Sequence, residues 1–118
     1  MPHRVVRWQI VSPNPEQTTS FYRKLFQWET DQANALGFRE IRSGGGGIDG
    51  GVWPAAESDR PFVQLFVEVP DVERHVSRAT ALGAKVVVPA SVLPNGDTMA
   101  VLLDSLGMPF GICKLRDR

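Results

Sequence analysis

The sequence predicts an α+β fold built from two tandem βαβββ modules, and three observations carry that prediction. The run Trp8-Gln9-Ile10-Val11-Ser12-Pro13-Asn14-Pro15-Glu16 recurs in weakened form 57 residues later as Gln64-Leu65-Phe66-Val67-Glu68-Val69-Pro70-Asp71. In each copy, apolar alternation of period two enters a Pro-Asn or Pro-Asp turn and then gives way to helical spacing. A half of roughly 55–60 residues is marginal alone, whereas 118 residues suffice for one domain with a real core. The two copies are therefore expected to share one core as a single domain, 1–118. Module one covers about 3–53 and module two about 62–116.

The elements follow in order. Arg4 to Val11 reads as the first strand, with Trp8 and Ile10 on one face and Arg7, Gln9 and Val11 on the other. Asn14 is a good N-cap, Pro15 suits the first helical turn, and Phe21, Tyr22, Leu25 and Phe26 recur at helical spacing, so an amphipathic helix is expected from Pro15 to Phe26. Trp28 to Thr30, Gly37 to Arg42 and Gly47 to Trp53 read as three short strands, the last two separated by the glycines from Gly44. Residues 54–61, rich in Pro, Ala, Ser and charge, read as a linker.

The second copy repeats the scheme. Phe62 to Val69 is a strand, Asp71 caps a helix reaching Leu82, and Gly83 stands where a helix C′ glycine belongs. Lys85 to Val88, Thr98 to Leu103 and Pro109 to Leu115 complete the set. Pro94-Asn95-Gly96-Asp97 is the turn between two of them.

Composition narrows the partners. Thirteen basic and thirteen acidic residues cancel, and the sequence pI is near 6.7, so neither nucleic acid nor an anionic membrane is an expected partner. The N-terminus Met1-Pro2-His3-Arg4 carries no signal-peptide stretch, and no run approaches the roughly 20 apolar residues of a membrane span. The expected compartment is the cytoplasm. A lone cysteine, Cys113, agrees with a reducing environment.

Trp8-Gln9-Ile10 through Phe21-Tyr22 and Leu25-Phe26-Gln27-Trp28-Glu29, Val69-Pro70-Asp71-Val72, Ala81-Leu82-Gly83-Ala84-Lys85-Val86, and Leu103-Asp104-Ser105-Leu106-Gly107-Met108-Pro109-Phe110-Gly111 together cover nearly the whole chain. The pattern they make resembles the vicinal oxygen chelate superfamily, which includes glyoxalase I, extradiol dioxygenases, methylmalonyl-CoA epimerase and the bleomycin and fosfomycin resistance proteins. The resemblance implies that the modules form a curved mixed sheet enclosing a cup-shaped cavity. It also implies, for metal-dependent members, a His or Gln ligand on the first strand of each module and a Glu on the last. Their metal polarises vicinal oxygens of the substrate.

Carried onto this chain, the first-strand positions fall on Arg7 and Gln64, and the last-strand position counted from Asp104 falls on Gly111. Arginine has donors only, and glycine has no side chain. Gln9 could stand in for Arg7 and Asp49 for a carboxylate. That set of Gln, Gln and Asp is still a poor match for zinc, nickel or iron. His3 precedes the strand, and His75 is expected on the solvated face of its helix. The expectation is no metal, no cofactor and no assigned catalytic residue. Gly111→Glu with Arg7→His would then restore two ligands.

Arg7, Gln9 and Gln64 are candidates for oriented hydrogen bonds to a small-molecule ligand, with Trp53 and Phe66 as apolar walls. Equally open is a cavity in which those polar groups bond one another and a few waters, or one plugged by side chains as an interaction domain. The Gly44-to-Gly47 run lacks the Lys-Ser/Thr of a phosphate loop and reads as a hairpin. No histidine is placed to activate Cys113, so it reads as a small buried residue. The expected function is a metal-free small-molecule binding protein similar to bleomycin resistance proteins, with its ligand in the cup or in the groove of a homodimer. The alternative is a glyoxalase-like lyase or isomerase with an altered metal site.

Overall fold

The computed structural model describes residues 2–55 and 60–116. The elements in chain order are β1 (Val5–Ser12), α1 (Pro15–Phe26), β2 (Glu29–Thr30), β3 (Arg39–Arg42) and β4 (Gly50–Pro54), then β5 (Phe62–Glu68), α2 (Val72–Ala81), β6 (Lys85–Val92), β7 (Thr98–Leu103) and β8 (Pro109–Lys114). The architecture is α+β, with the βαβββ order present twice. Of the expected linker, Pro54 ends β4, and residues 56–59 lie outside the described residues.

The chain divides into two compact units, Val6–Gln64 and Met1–Val5 with Leu65–Arg118. In the first, the strand order is β2-β3-β4-β1, with β1 parallel to β4 and the other pairs antiparallel. In the second, the order is β6-β7-β8-β5, with β5 parallel to β8 and the other pairs antiparallel. Counted from the start of each copy, the two orders are identical, as a duplicated sequence requires.

In the first unit, Asn14 caps α1 by accepting from the Gln17 N–H at 3.1 Å, and Gln27 closes it in the left-handed conformation, its N–H donating to the Arg23 carbonyl at 2.8 Å. The expected apolar stripe of α1 is not its buried face. Phe21 and Leu25 are each 57 % exposed and Phe26 52 %, while Thr19 is buried. The Thr19 hydroxyl donates to the Pro15 carbonyl at 2.7 Å. A small side chain with its polar atom satisfied lets this face of the helix sit against the sheet. Tyr22 and Phe26 turn instead toward Trp28, which also meets Trp8, with ring centroids 5.4 Å apart for the two tryptophans.

In the second unit, Asp71 caps α2 by accepting from the Arg74 N–H at 3.0 Å. Its apolar side packs Val72, Val76 and Ala79 onto Val69, Ala100, Leu102 and Ile112. Gly83 takes φ 105 just past the C-cap Leu82, a conformation that favours glycine. β6 runs to Val92, beyond the expected Val88, because its pairing with β7 resumes after two register shifts around Pro89. A proline is tolerated there because β6 is an edge strand. Conversely, β4 begins at Gly50 rather than Gly47, since Gly44 to Gly46 all take positive φ and form a turn closed by the Gly47 N–H on the Gly44 carbonyl at 2.9 Å.

The β7–β8 turn is held by Asp104, whose Oδ1 accepts from the N–H groups of Leu106 and Met108 at 2.9 and 3.0 Å. Bonds to the backbone N–H groups of Met108 and then Leu106 hold its carboxyl below the usual carboxylate range. Because the folded pKa is depressed, the stabilisation is complete above the unfolded value of about 3.9 and is lost as pH falls through the lower folded value. Asp104→Asn is therefore expected to flatten the acid limb of thermal stability. Melting curves taken from pH 6 downward would show the parent losing stability more steeply than the variant.

Candidate functional site

Register and alternation assign two faces to the first unit. Trp8 is opposite Gly50 in the parallel β1–β4 pair, and its ring lies where a side chain at residue 50 would stand. Its indole N–H donates to the Ile48 carbonyl at 2.7 Å. Ile41 and Val52, both fully buried, share that face, and Arg39 on the same side reaches Glu16 of α1 at 2.9 Å. This is the helix-packed face.

The other face therefore carries Arg7, Gln9 and Val11 of β1. Gln9 stands opposite Gly51, and Val11 opposite Trp53. Gln9 and Gln64 are 4 % and 6 % exposed, and Gln64 Nε2 donates to Gln9 Oε1 at 3.4 Å. The Phe38 ring occupies the space above Gly51 and lies against Trp53, with centroids 4.8 Å apart. Among the described residues, Trp53 Nε1 is the buried side-chain polar atom without a hydrogen-bond partner. The structure thus brings Arg7, Gln9, Gln64 and Trp53 onto one unit and joins the two glutamines directly.

Two residues of this face were not singled out from the sequence. Glu40 of β3 is opposite Gly51, and Phe38, just before β3, lays its ring over the same glycine, so both are on the Gln9 side. The signal was present in Gly37-Phe38-Arg39-Glu40-Ile41-Arg42, where the apolar Ile41 and the aromatic Phe38 fall on opposite faces. Asp49, considered as a carboxylate ligand, accepts from the Ser43 N–H at 3.0 Å and closes the glycine turn.

Phe66 belongs to the second unit. It is 2 % exposed and opposite Gly111 in the parallel β5–β8 pair, and its ring fills the space a side chain at residue 111 would need. Gln9–Gly51 and Phe66–Gly111 are equivalent positions of the two copies, and in both an aromatic ring covers the glycine. His75 is half-buried rather than on a solvated face: its Nδ1 lies 3.0 Å from the Asp71 carbonyl and its ring meets His3 edge-on at 5.0 Å. Cys113 is buried. Among the described residues no helix is long and apolar enough to cross a membrane.

A model of the glyoxalase-like domain matches residues 7–113. The chain belongs to the glyoxalase-like domain family. This glyoxalase-like chain is thereby placed in the vicinal oxygen chelate superfamily. Its fold is similar to that of a hypothetical protein from Bacillus halodurans, with a TM-score of 0.71, 11 % identity, and 100 % and 98 % of the two chains covered. It is also similar to methylmalonyl-CoA epimerase from Mycobacterium tuberculosis, with a TM-score of 0.68, 13 % identity, and 95 % and 87 % covered. A Streptomyces coelicolor methylmalonyl-CoA epimerase in complex with 2-nitronate-propionyl-CoA gives 0.63 at 14 % identity, with 97 % and 95 % covered. No curated protein sequence matches the chain.

The metal set that the superfamily implies does not fit these residues. Arg7 offers donors only, and among the described residues no three of His, Cys, Asp and Glu gather into a cluster able to hold a metal ion. Nor would Gly111→Glu with Arg7→His rebuild a site, because a Cβ at residue 111 collides with the Phe66 ring. Gly111→Ala is expected to cost about 1–3 kcal/mol as over-packing. In a Phe66→Ala background, much of that cost should vanish. Denaturant melts of the four proteins of this cycle give the coupling, and additive effects would refute the ring-on-glycine contact.

Proposed function

We propose that this chain is a metal-free small-molecule binding protein of the glyoxalase and bleomycin resistance type. The observation that carries the reading is the buried, unpartnered Trp53 N–H beside a pair of buried glutamine amides and an aromatic pair. An unmet buried donor costs about 1–3 kcal/mol, and a ligand acceptor reaching it when the site opens would recover that. The single Gln64-to-Gln9 bond leaves each amide with further hydrogen-bonding capacity, so the face can address both a donor and an acceptor. Phe38 and Trp53 supply apolar area for a flat ligand. Arg7, on the same face, adds charge.

The protein is expected to act as a homodimer, in which a second copy covers the apolar surface of the first unit or completes a groove for the ligand. Phe21, Leu25 and Val63 are each more than half exposed in that unit, and large exposed apolar area marks interaction surfaces. No nucleic acid or membrane partner and no cofactor is proposed, and the cytoplasm is the proposed location.

Glu40 favours a second reading, a glyoxalase-like lyase or isomerase. A half-buried carboxylate opposite Gly51 is the one group on this face able to take a proton from a carbon acid. It would act without the superfamily's metal ligands.

A native mass spectrum of the protein purified without added metal separates these readings. A 26 kDa-class dimer, about twice the 13.0 kDa chain, carrying an organic adduct is expected; a stoichiometric divalent metal would overturn the metal-free reading. With the adduct in hand, Trp53→Phe should bind it about tenfold more weakly, the loss of one hydrogen bond of about 1.4 kcal/mol. The same variant should melt no lower than the parent, because it deletes an unmet donor. If Glu40→Gln abolished turnover of that compound and left its binding intact, the enzyme reading would replace the binder.

A further inference from the structure

A cavity of about 400 Å³ lies wholly within the second unit, lined by residues 2–4, 68–70 and 114–116. Its lining includes the apolar Val69, Pro70 and Leu115, together with His3 and the cations Arg4, Lys114 and Arg116 against the single carboxylate Glu68. In a chain whose formal charge is zero, this is a local excess of two positive charges. Lys114 shares its strand face with Ile112, which packs in the α2 core cluster, so the cavity opens on the helix side of this sheet.

The Arg4 guanidinium and the backbone and stem of Arg116 are held by the surrounding structure. Arg4 places Nε and Nη2 on the same Glu68 oxygen, each at 3.1 Å, which fixes the plane of its fork. The Arg116 backbone N–H donates to Asp97 Oδ1 at 2.9 Å, and Asp97 is itself buried and tied to Asn95. The stem of Arg116 lies over Gly96, where a Cβ would strike its Cδ. The Pro94-to-Asp97 turn thus serves to seat an arginine at the mouth of a cavity.

We propose that this cavity binds the phosphate group of a small molecule. Planar guanidinium forks match tetrahedral oxyanions, an ammonium adds point charge, and the apolar part of the lining accepts the body of the molecule. The inference is independent of the Gln9 and Trp53 face: it uses other residues in the other unit.

Inorganic pyrophosphate is the probe, titrated into nitrogen-15-labelled protein at low salt, with citrate as the carboxylate counterpart. Saturable shifts at the Lys114 and Arg116 amides are expected, with pyrophosphate bound more tightly than citrate. Lys114→Ala and Arg116→Ala, both at exposed side chains, should each weaken binding about tenfold. Arg116→Lys, which keeps charge and loses the fork, should fall between Arg116→Ala and the parent. Shifts that do not saturate, or variants that bind as the parent does, would overturn the site. Citrate binding as tightly as pyrophosphate would overturn the assignment to phosphate.

Discussion

In each copy, the first and last strands run parallel and side by side, so a residue of one stands directly opposite a residue of the other. Everything placed on those strands must satisfy that pairing. This chain satisfies it with glycine: Gly50 accommodates Trp8, Gly51 the ring of Phe38, and Gly111 the ring of Phe66. A glycine that lets a ring lie flat on the backbone removes the anchor for a side chain at the same point. At Gly111 this rules out the carboxylate that the superfamily resemblance implies there, because its Cβ would strike the Phe66 ring.

Much of the fold was legible because turn chemistry repeats. Pro13-Asn14 and Pro70-Asp71 start helices in both copies, each with its side chain on the third N–H of the turn. The strand order of each half follows once the duplication is recognised. What was misjudged came from reading periodicity as burial. The helical spacing of Phe21, Leu25 and Phe26 is real, yet the helix lies on Thr19. Helical spacing shows that the apolar residues share a face, and spacing alone does not say which face of the helix meets the sheet. β6 continues past the expected Val88 to Val92, because on an edge strand the missing N–H of Pro89 costs no ladder bond.

The candidate site was legible by half. Alternation from Trp8 puts Arg7 and Gln9 on the face away from α1, and the bond between Gln9 and Gln64 joins side chains 55 residues apart, two short of the 57-residue repeat that makes Phe66 the equivalent of Gln9. Phe38 and Glu40 lie on a strand of four residues and its lead-in, too short for period two to declare a face by itself, although alternation separates Ile41 from them. His75 was placed in solvent because helical position alone was used. The contact with His3 depends on where the start of the chain runs, which no local pattern specifies.

Two kinds of polar site then coexist in one neutral chain, and their designs differ in a physically consistent way. On the Gln9 face, the buried polar groups are glutamine amides and an indole N–H, which carry no ionic desolvation cost and can be enclosed. Under the proposed binder reading, a ligand there would be selected by hydrogen-bond geometry and ring contact. At the Arg4 and Arg116 cavity the cations remain at the rim: the Arg4 side chain is 65 % exposed. Charge is usable there because water still solvates it, and only the orienting partners Glu68 and Asp97 are drawn inward. Arg7 and Glu40, the charged groups of the Gln9 face, likewise stay half-buried rather than enclosed, as the cost of desolvating a charge requires.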